Sequence, residues 1–429
     1  MNLLKERKDG FGMSEEEFKK LLVENGQAHV IKSYERLDDK KKKILMAQVE
    51  KIDFLKMKDL YALTQSTASA ETLDSVIEPI SYEDSNKLSP EQRAEYIKLG
   101  EEAIKNHKLA VVTMAGGQGT RLGHNGPKGT FDIGLDSHKS IFEIQNDILK
   151  KANAKYHVII PWYIMTSHDN HQDTIRFFEE HHFFNYPRSE IGYFFSQNEL
   201  PMLDEDGKIV LNEEGLIKLA ADGHGGVFEA LATEGVLDDM RKRGIEWIFI
   251  AAVDNVIVQM ADPLLIGFAI KHGYTIVSKT IPKTGPEERV GVFCKKDGKP
   301  YVIEYTEISQ EMANARDENG ELLYGEAHML LNLFHISALE EIEKFKLPYH
   351  VAHKKSTLMN ENGEIIVPEK PNAYKFETFL FDAFAKMPQI GLLRGKREDD
   401  FSPVKNAEGV DSPATAKRDY ISYHERHKE

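Results

Sequence analysis

The sequence predicts an α/β fold built on a parallel or mixed sheet with flanking helices, and three observations predict it. From residue 108 the chain alternates helical patterns with short apolar runs: Leu109–Met114, Val158–Thr166, Ile191–Phe195, Trp247–Val253 and Thr275–Lys279. These runs are continuous rather than alternating, as strands covered on both faces must be. The first run leads straight into a glycine-rich segment, a usual exit from a strand toward a bound anion. With 429 residues, 41% hydrophobic and 29% charged, the chain has surface to bury in two or three domains.

The elements follow in order. Residues 1–105 read as a helical N-terminal region. Ser14 with Glu17 makes a capping box, and Ser89-Pro90-Glu91-Gln92 supplies an N-cap, a proline at the first helical position and a reciprocal glutamine. The run Lys40 to Lys43 reads as a solvated helix face, and Glu78 to Lys87 as a polar connector. The α/β domain spans 106–385. Residues 386–429, carrying Lys405, form a small C-terminal region; the tail after 388, which includes Asp411-Ser412-Pro413-Ala414-Thr415, reads as irregular, with any order coming from docking on the main body.

Charge and composition exclude several functions. The net charge of −15 repels a polyanion, so nucleic acid is not the predicted partner. The lone Cys294 forms no intramolecular disulfide. The opening residues hold no apolar signal core. The longest apolar stretch, Trp247 to Ala261, is interrupted by Asp254 and Asn255 and falls short of the ~20 residues of a membrane helix. A cytoplasmic protein without membrane contact is expected.

Six of the fourteen residues 116–129 are glycine, and Arg121 and Lys128 place two cations on the same loop. Glycine lets backbone N–H groups approach an anion, Arg offers a planar fork to phosphate oxygens, and Lys adds a compact charge. Pro127-Lys128-Gly129 is not the Gly-Lys-Ser/Thr of a Walker A loop. Leu122 stands where the dinucleotide fingerprint needs its third glycine.

This loop, its continuation Phe131-Asp132-Ile133-Gly134, and Trp162 to Ser167 resemble the sugar-nucleotide pyrophosphorylases. So do Gln197 with Leu200-Pro201, Asp222 to Gly226, Val253-Asp254-Asn255, Val290-Gly291-Val292, Glu304 to Ile308 and Phe401 to Ala407. In detail they resemble the UDP-N-acetylhexosamine pyrophosphorylases of the UDP-glucose pyrophosphorylase family. The resemblance implies a Rossmann-like nucleotidyltransferase core with a mixed sheet, a helical N-terminal extension and a small C-terminal domain. It implies a uridylyltransferase that joins UTP to a sugar 1-phosphate, foremost N-acetylglucosamine 1-phosphate, and releases pyrophosphate.

The resemblance also assigns roles. Arg121, Lys128 and Lys405 would neutralise the reacting phosphates, and Asp254 would hold Mg²⁺. Gly116, Gly117, Gly119, Gln197 and Gly223 would bind the nucleotide. Gly291 and Glu304, on a strand Tyr301–Tyr305, would meet the sugar. His224 and His328 stand where those enzymes carry asparagine. Gly223-His224-Gly225 is similar to the Gly-His-Gly of the glucose-directed branch, so glucose or galactose 1-phosphate is the alternative substrate. Two other classes stay open: a glycosyltransferase, disfavoured because Asp254-Asn255-Val256 lacks the second acid of an Asp-x-Asp motif, and a non-catalytic UTP or UDP-sugar sensor.

Overall fold

The computed structural model describes residues 13–65, 75–191 and 193–428. Its largest sheet contains Leu109–Met114 (β1), Trp162–Thr166 (β2), Phe194–Ser196 (β3), Trp247–Ala252 (β4), Ile276–Pro282 (β5), Val292–Lys296 (β6), Lys299–Ile303 (β7), Glu326–His335 (β8) and Gly391–Arg394 (β9). The strands β3, β2, β1 and β4 lie side by side and parallel. β1 and β2 are buried at every residue, which is why their sequences run apolar without alternation. β8 then enters antiparallel to β4 and β5, and β9 pairs parallel with β5. β6 and β7 form a hairpin joined to β8 where Val292 faces Ala327. The sheet is mixed, as expected, although β8 sits in its middle and no apolar run had marked it.

Helices cover the sheet, and one crossing is set by missing side chains. A Cβ on Gly100, in the helix Pro90–Lys105, would lie 1.9 Å from the Pro263 carbonyl oxygen. A Cβ on Gly267, in the helix Pro263–His272, would lie 1.7 Å from that of Tyr96. The two backbones therefore touch where glycine stands on both sides. Both expected capping boxes form, Ser14 with Glu17 and Ser89 with Gln92. Among the described residues no helix is long and apolar enough to cross a membrane.

The chain divides into two units that cut it differently from the boundaries 1–105, 106–385 and 386–429. The larger comprises the described parts of Asp74–Asn198, His224–Pro348 and Phe379–Glu429. The smaller comprises those of Met1–Leu73, Glu199–Gly223 and Tyr349–Thr378. In the smaller unit the N-terminal helices bury Phe18, Leu22, Val30, Leu45 and Val49 against Leu203, Ile209, Leu211, Ile217 and Phe376, so three distant segments share one core. The lysine run lies on the helix Asp39–Glu50, capped by Asp38, with Lys40 and Lys43 exposed.

The last forty residues differ most from expectation. Residues 391–394 supply β9 to the main sheet, and Pro413–Arg426 is a helix rather than an irregular tail. Ser412 caps that helix and exchanges hydrogen bonds with Thr415 while Pro413 opens the first turn, the same device as at Ser89.

Candidate active site

The four parallel strands end on one edge of the sheet, and each hands its next residues to the same place. Ala115 follows β1, Ser167 follows β2, Gln197 follows β3, and Asp254 comes two residues after β4. Open α/β sheets collect their ligands outside the carboxyl ends of parallel strands.

The glycine loop doubles back there, with Gly119 N–H donating to the Gly126 carbonyl (2.9 Å) and Lys128 N–H to that of Gly117 (3.0 Å). Five of its six glycines have a local reason. Gly123 and Gly126 take φ of +69° and +154°, and a Cβ on Gly119 or Gly129 would strike the ring of His124 or Phe142 at 2.7 or 2.2 Å. A Cβ on Gly116 would lie 2.5 Å from the Gln197 amide oxygen, so these two predicted base-binding residues are in contact. Gly117 is different. The nearest atom to its absent Cβ is Lys128 Cε at 4.0 Å, and what glycine leaves there is open space over the backbone.

Lys128 faces that space and meets Asp254, with Nζ 3.4 Å from Oδ2 and both side chains partly exposed. Arg121 lies on the short turn Thr120–Leu122, exposed, and pairs with no acid among the described residues. The Asp254 segment is sewn to the C-terminal region. Val404 N–H donates to the Asp254 carbonyl (3.0 Å), Asn255 Nδ2 donates to the Asp400 carbonyl (2.8 Å), and Ser402 N–H donates to Asn255 Oδ1 (3.0 Å).

Beneath these bonds Lys279 is buried between Asp262 and Asp400, at 2.5 and 2.6 Å. Burial alone would lower its pKa, but the two carboxylates outweigh that and raise it. Lys405 is thereby brought next to the Asp254 strand end, 277 positions beyond Lys128 in sequence (405 − 128). Its ammonium is turned to Asp411 (3.6 Å) and over the Phe401 ring.

The predicted sugar residues divide. Gly291 and Glu304 meet: a Cβ on Gly291 would lie 2.9 Å from Glu304 Oε1. Glu304 follows β7, which ends at Ile303, rather than lying on a strand to Tyr305. His328 N–H donates to the Gly291 carbonyl (2.9 Å), but its ring is enclosed edge-on by Phe293, Phe381 and Phe384. Burial, with the nearby His224, pushes its pKa down to about 3, so the ring is neutral. His224 accepts from Leu380 N–H at Nδ1 (3.1 Å) and stacks on Phe379. Gly223 belongs to the smaller unit, at φ +88°, where a Cβ would strike the Thr378 carbonyl oxygen at 2.4 Å.

The family model of UTP–glucose-1-phosphate uridylyltransferase matches residues 54–411. The chain belongs to that family. The uridylyltransferase is 37% identical to the UDP-N-acetylglucosamine pyrophosphorylase of Saccharomyces cerevisiae over 94% of this chain and 89% of that one. It is 34% identical to the human UDP-N-acetylhexosamine pyrophosphorylase-like protein 1 over 96% and 85%. Among solved structures, the Trypanosoma brucei uridine diphosphate N-acetylglucosamine pyrophosphorylase in complex with inhibitor superposes with a TM-score of 0.81 at 32% identity, covering 97% of this chain and 86% of that one.

Reading the sequence missed Asn170, Asn255 and Lys279, which hold the segments of the candidate site together. Asn170 is fully buried; its Nδ2 donates to the carbonyls of Ala115 (2.9 Å) and Gly117 (3.3 Å), and its Oδ1 accepts from Ser167 N–H (2.9 Å). The one available signal was the placement of Asn255 directly after Asp254, since a polar amide at a strand end needs buried partners.

Proposed function

We propose that this uridylyltransferase joins UTP to N-acetylglucosamine 1-phosphate, with the triphosphate on the loop Gly116–Lys128 and uracil against Gly116 and Gln197. The observation that carries this reading is the convergence of the open backbone at Gly117 with Lys128 and Asp254 at the end of the parallel strands. Uracil presents an acceptor, a donor and an acceptor, which a glutamine amide and backbone groups match. Gly291 and Glu304, already in contact, would receive sugar hydroxyls on the carboxylate.

A sugar phosphate oxygen is anionic near neutral pH, so the nucleophile needs no general base. The barrier lies in bringing two polyanions together in line. Arg121, free of acidic partners among the described residues, and Lys128 would neutralise charge building on the α-phosphoryl group and the leaving pyrophosphate. Lys405 would join them by exchanging Asp411 for a phosphate oxygen. Asp254 would hold Mg²⁺. Among the described residues no three acid, histidine or cysteine side chains gather as a metal cluster, and a lone carboxylate suits a cation completed by substrate phosphates. When bound, Mg²⁺ supplies charge neutralisation across the reacting phosphates.

His224 stands where asparagine was expected, but its Nδ1 is engaged by Leu380 N–H, and His328 is closed in by phenylalanines. Neither ring is arranged to replace an asparagine amide, so the preference for the N-acetylated sugar rests on the likeness to the UDP-N-acetylglucosamine pyrophosphorylases. The test is pyrophosphate release from UTP and Mg²⁺ with a panel of glucose, galactose and their N-acetylamino 1-phosphates. Fastest turnover with N-acetylglucosamine 1-phosphate is expected. Faster release with glucose 1-phosphate would overturn the sugar, and UTP binding without release would make the protein a sensor.

A further inference from the structure

We propose that Asn170 is a positioning residue of the nucleotide site, acting on the peptide planes of the glycine loop without touching the substrate. This rests on the reading that UTP lies on that loop. Asn170 occupies the N-cap position of the helix His171–Glu180, where asparagine is a favoured cap, yet its side chain makes no bond to that helix. Instead its amide donates to the carbonyls of Ala115 and Gly117, and its oxygen ties back to Ser167 at the end of β2.

The consequence follows from peptide geometry. In a planar trans peptide the C=O and the next N–H point in opposite directions. Holding the carbonyls of Ala115 and Gly117 inward on one buried amide therefore turns the N–H groups of Gly116 and Gln118 away from Asn170, toward the side on which Gly117 leaves open space. Without that anchor the Ala115–Gly116 plane loses its hydrogen bond and can turn to offer a carbonyl, which repels phosphate, in place of an N–H, while the Gly117 carbonyl keeps only its bond from Lys128 N–H. The loop's glycines make such rotation easy, and among the described residues no in-loop N–H is bonded to the Ala115 carbonyl, so its partner comes from outside the loop. Asn170 also links β1 to β2 at their carboxyl ends, placing the loop on the same rigid edge that carries Gln197, whose N–H donates to Thr166 (2.9 Å).

The test measures UTP dissociation constants by titration calorimetry and steady-state constants on the full chain. Asn170→Asp keeps the shape and the acceptor for Ser167 but sets oxygen against two carbonyls. It should weaken UTP at least ~10-fold, the size of a buried amide donor lost, while kcat at saturating UTP and the KM for the sugar 1-phosphate stay within about 2-fold. Asn170→Ser, which retains one donor, should give a smaller loss. Thr174→Ala, which leaves a cavity at a fully buried position of the same helix, should lower the melting temperature without moving UTP affinity. If both Asn170 variants bind UTP as the parent does while Gln197→Ala weakens it, the positioning role is wrong and the loop reading stands. If Gln197→Ala is also without effect, the loop reading itself fails. An equal rise in the sugar 1-phosphate KM would likewise overturn the proposal, since a general loss of structure moves both.

Discussion

Two lysines of the larger unit meet aspartates in opposite ways. Lys279 is enclosed between Asp262 and Asp400 at 2.5 and 2.6 Å, with little exposure on any of the three. Lys128 reaches one acid, Asp254, at 3.4 Å, with both side chains partly open. The first arrangement gives its one cation two buried carboxylate partners and so holds backbone segments in place. The second leaves positive charge underused at a strand edge, where, on the proposed reading, an incoming phosphate would complete it. Burial with full pairing marks a structural ion cluster, and partial pairing at an edge marks a site poised for a ligand.

The largest expected effect comes from breaking the enclosed cluster. Lys279→Met strands two carboxylates in the interior and should lower unfolding free energy by about 3–5 kcal/mol in urea titrations, with partial recovery when Asp400→Asn is added. A loss below about 1 kcal/mol would erase the distinction between the two lysines. Next, Lys128→Ala should cut turnover at least ~100-fold in the pyrophosphate assay while the urea midpoint barely moves, as expected for a lost transition-state contact. A destabilised but active variant would reverse the assignment.

A third group sharpens the rule, because His328 is enclosed with no counter-charge and stays neutral. Its pKa is depressed from 6.5 to about 3, so its contribution to stability is full above pH 6.5 and is lost as pH falls toward 3. Between pH 7.5 and pH 5 that should cost about 2 kcal/mol, and His328→Asn should flatten the slope. The smallest effect belongs to the exposed pair Lys41 and Glu214, at 3.0 Å. A double-mutant cycle there should give under about 1 kcal/mol.

The legible parts of the sequence are those decided locally. β1 was readable to the residue because a strand buried on both faces is apolar throughout. The glycine loop was readable because backbone approach to an anion has a composition. Asn170 was not, since nothing near residue 170 reveals that its amide serves carbonyls 53 and 55 positions away. β8 escaped because it meets its neighbours antiparallel and carries His328 and Asn332 among its apolar residues. The helix Pro413–Arg426 was legible in principle, as Ser412-Pro413 repeats the signature recognised at Ser89-Pro90. Its following residues are mostly polar, so no apolar stripe marks it, and in the structure only Ala416 is buried.

The three-part origin of the smaller unit has a consequence for biosynthesis. Its N-terminal helices emerge from the ribosome early, yet their apolar faces, Phe18 and Leu22 among them, share a core with Leu203 to Ile217 and finally with Phe376. Everything from Phe18 to Phe376 must be translated before that core closes, and until then the apolar faces of these helices lack their partners. Nascent chains halted ahead of Tyr349 should therefore expose the same faces to proteases, whatever the state of the sheet.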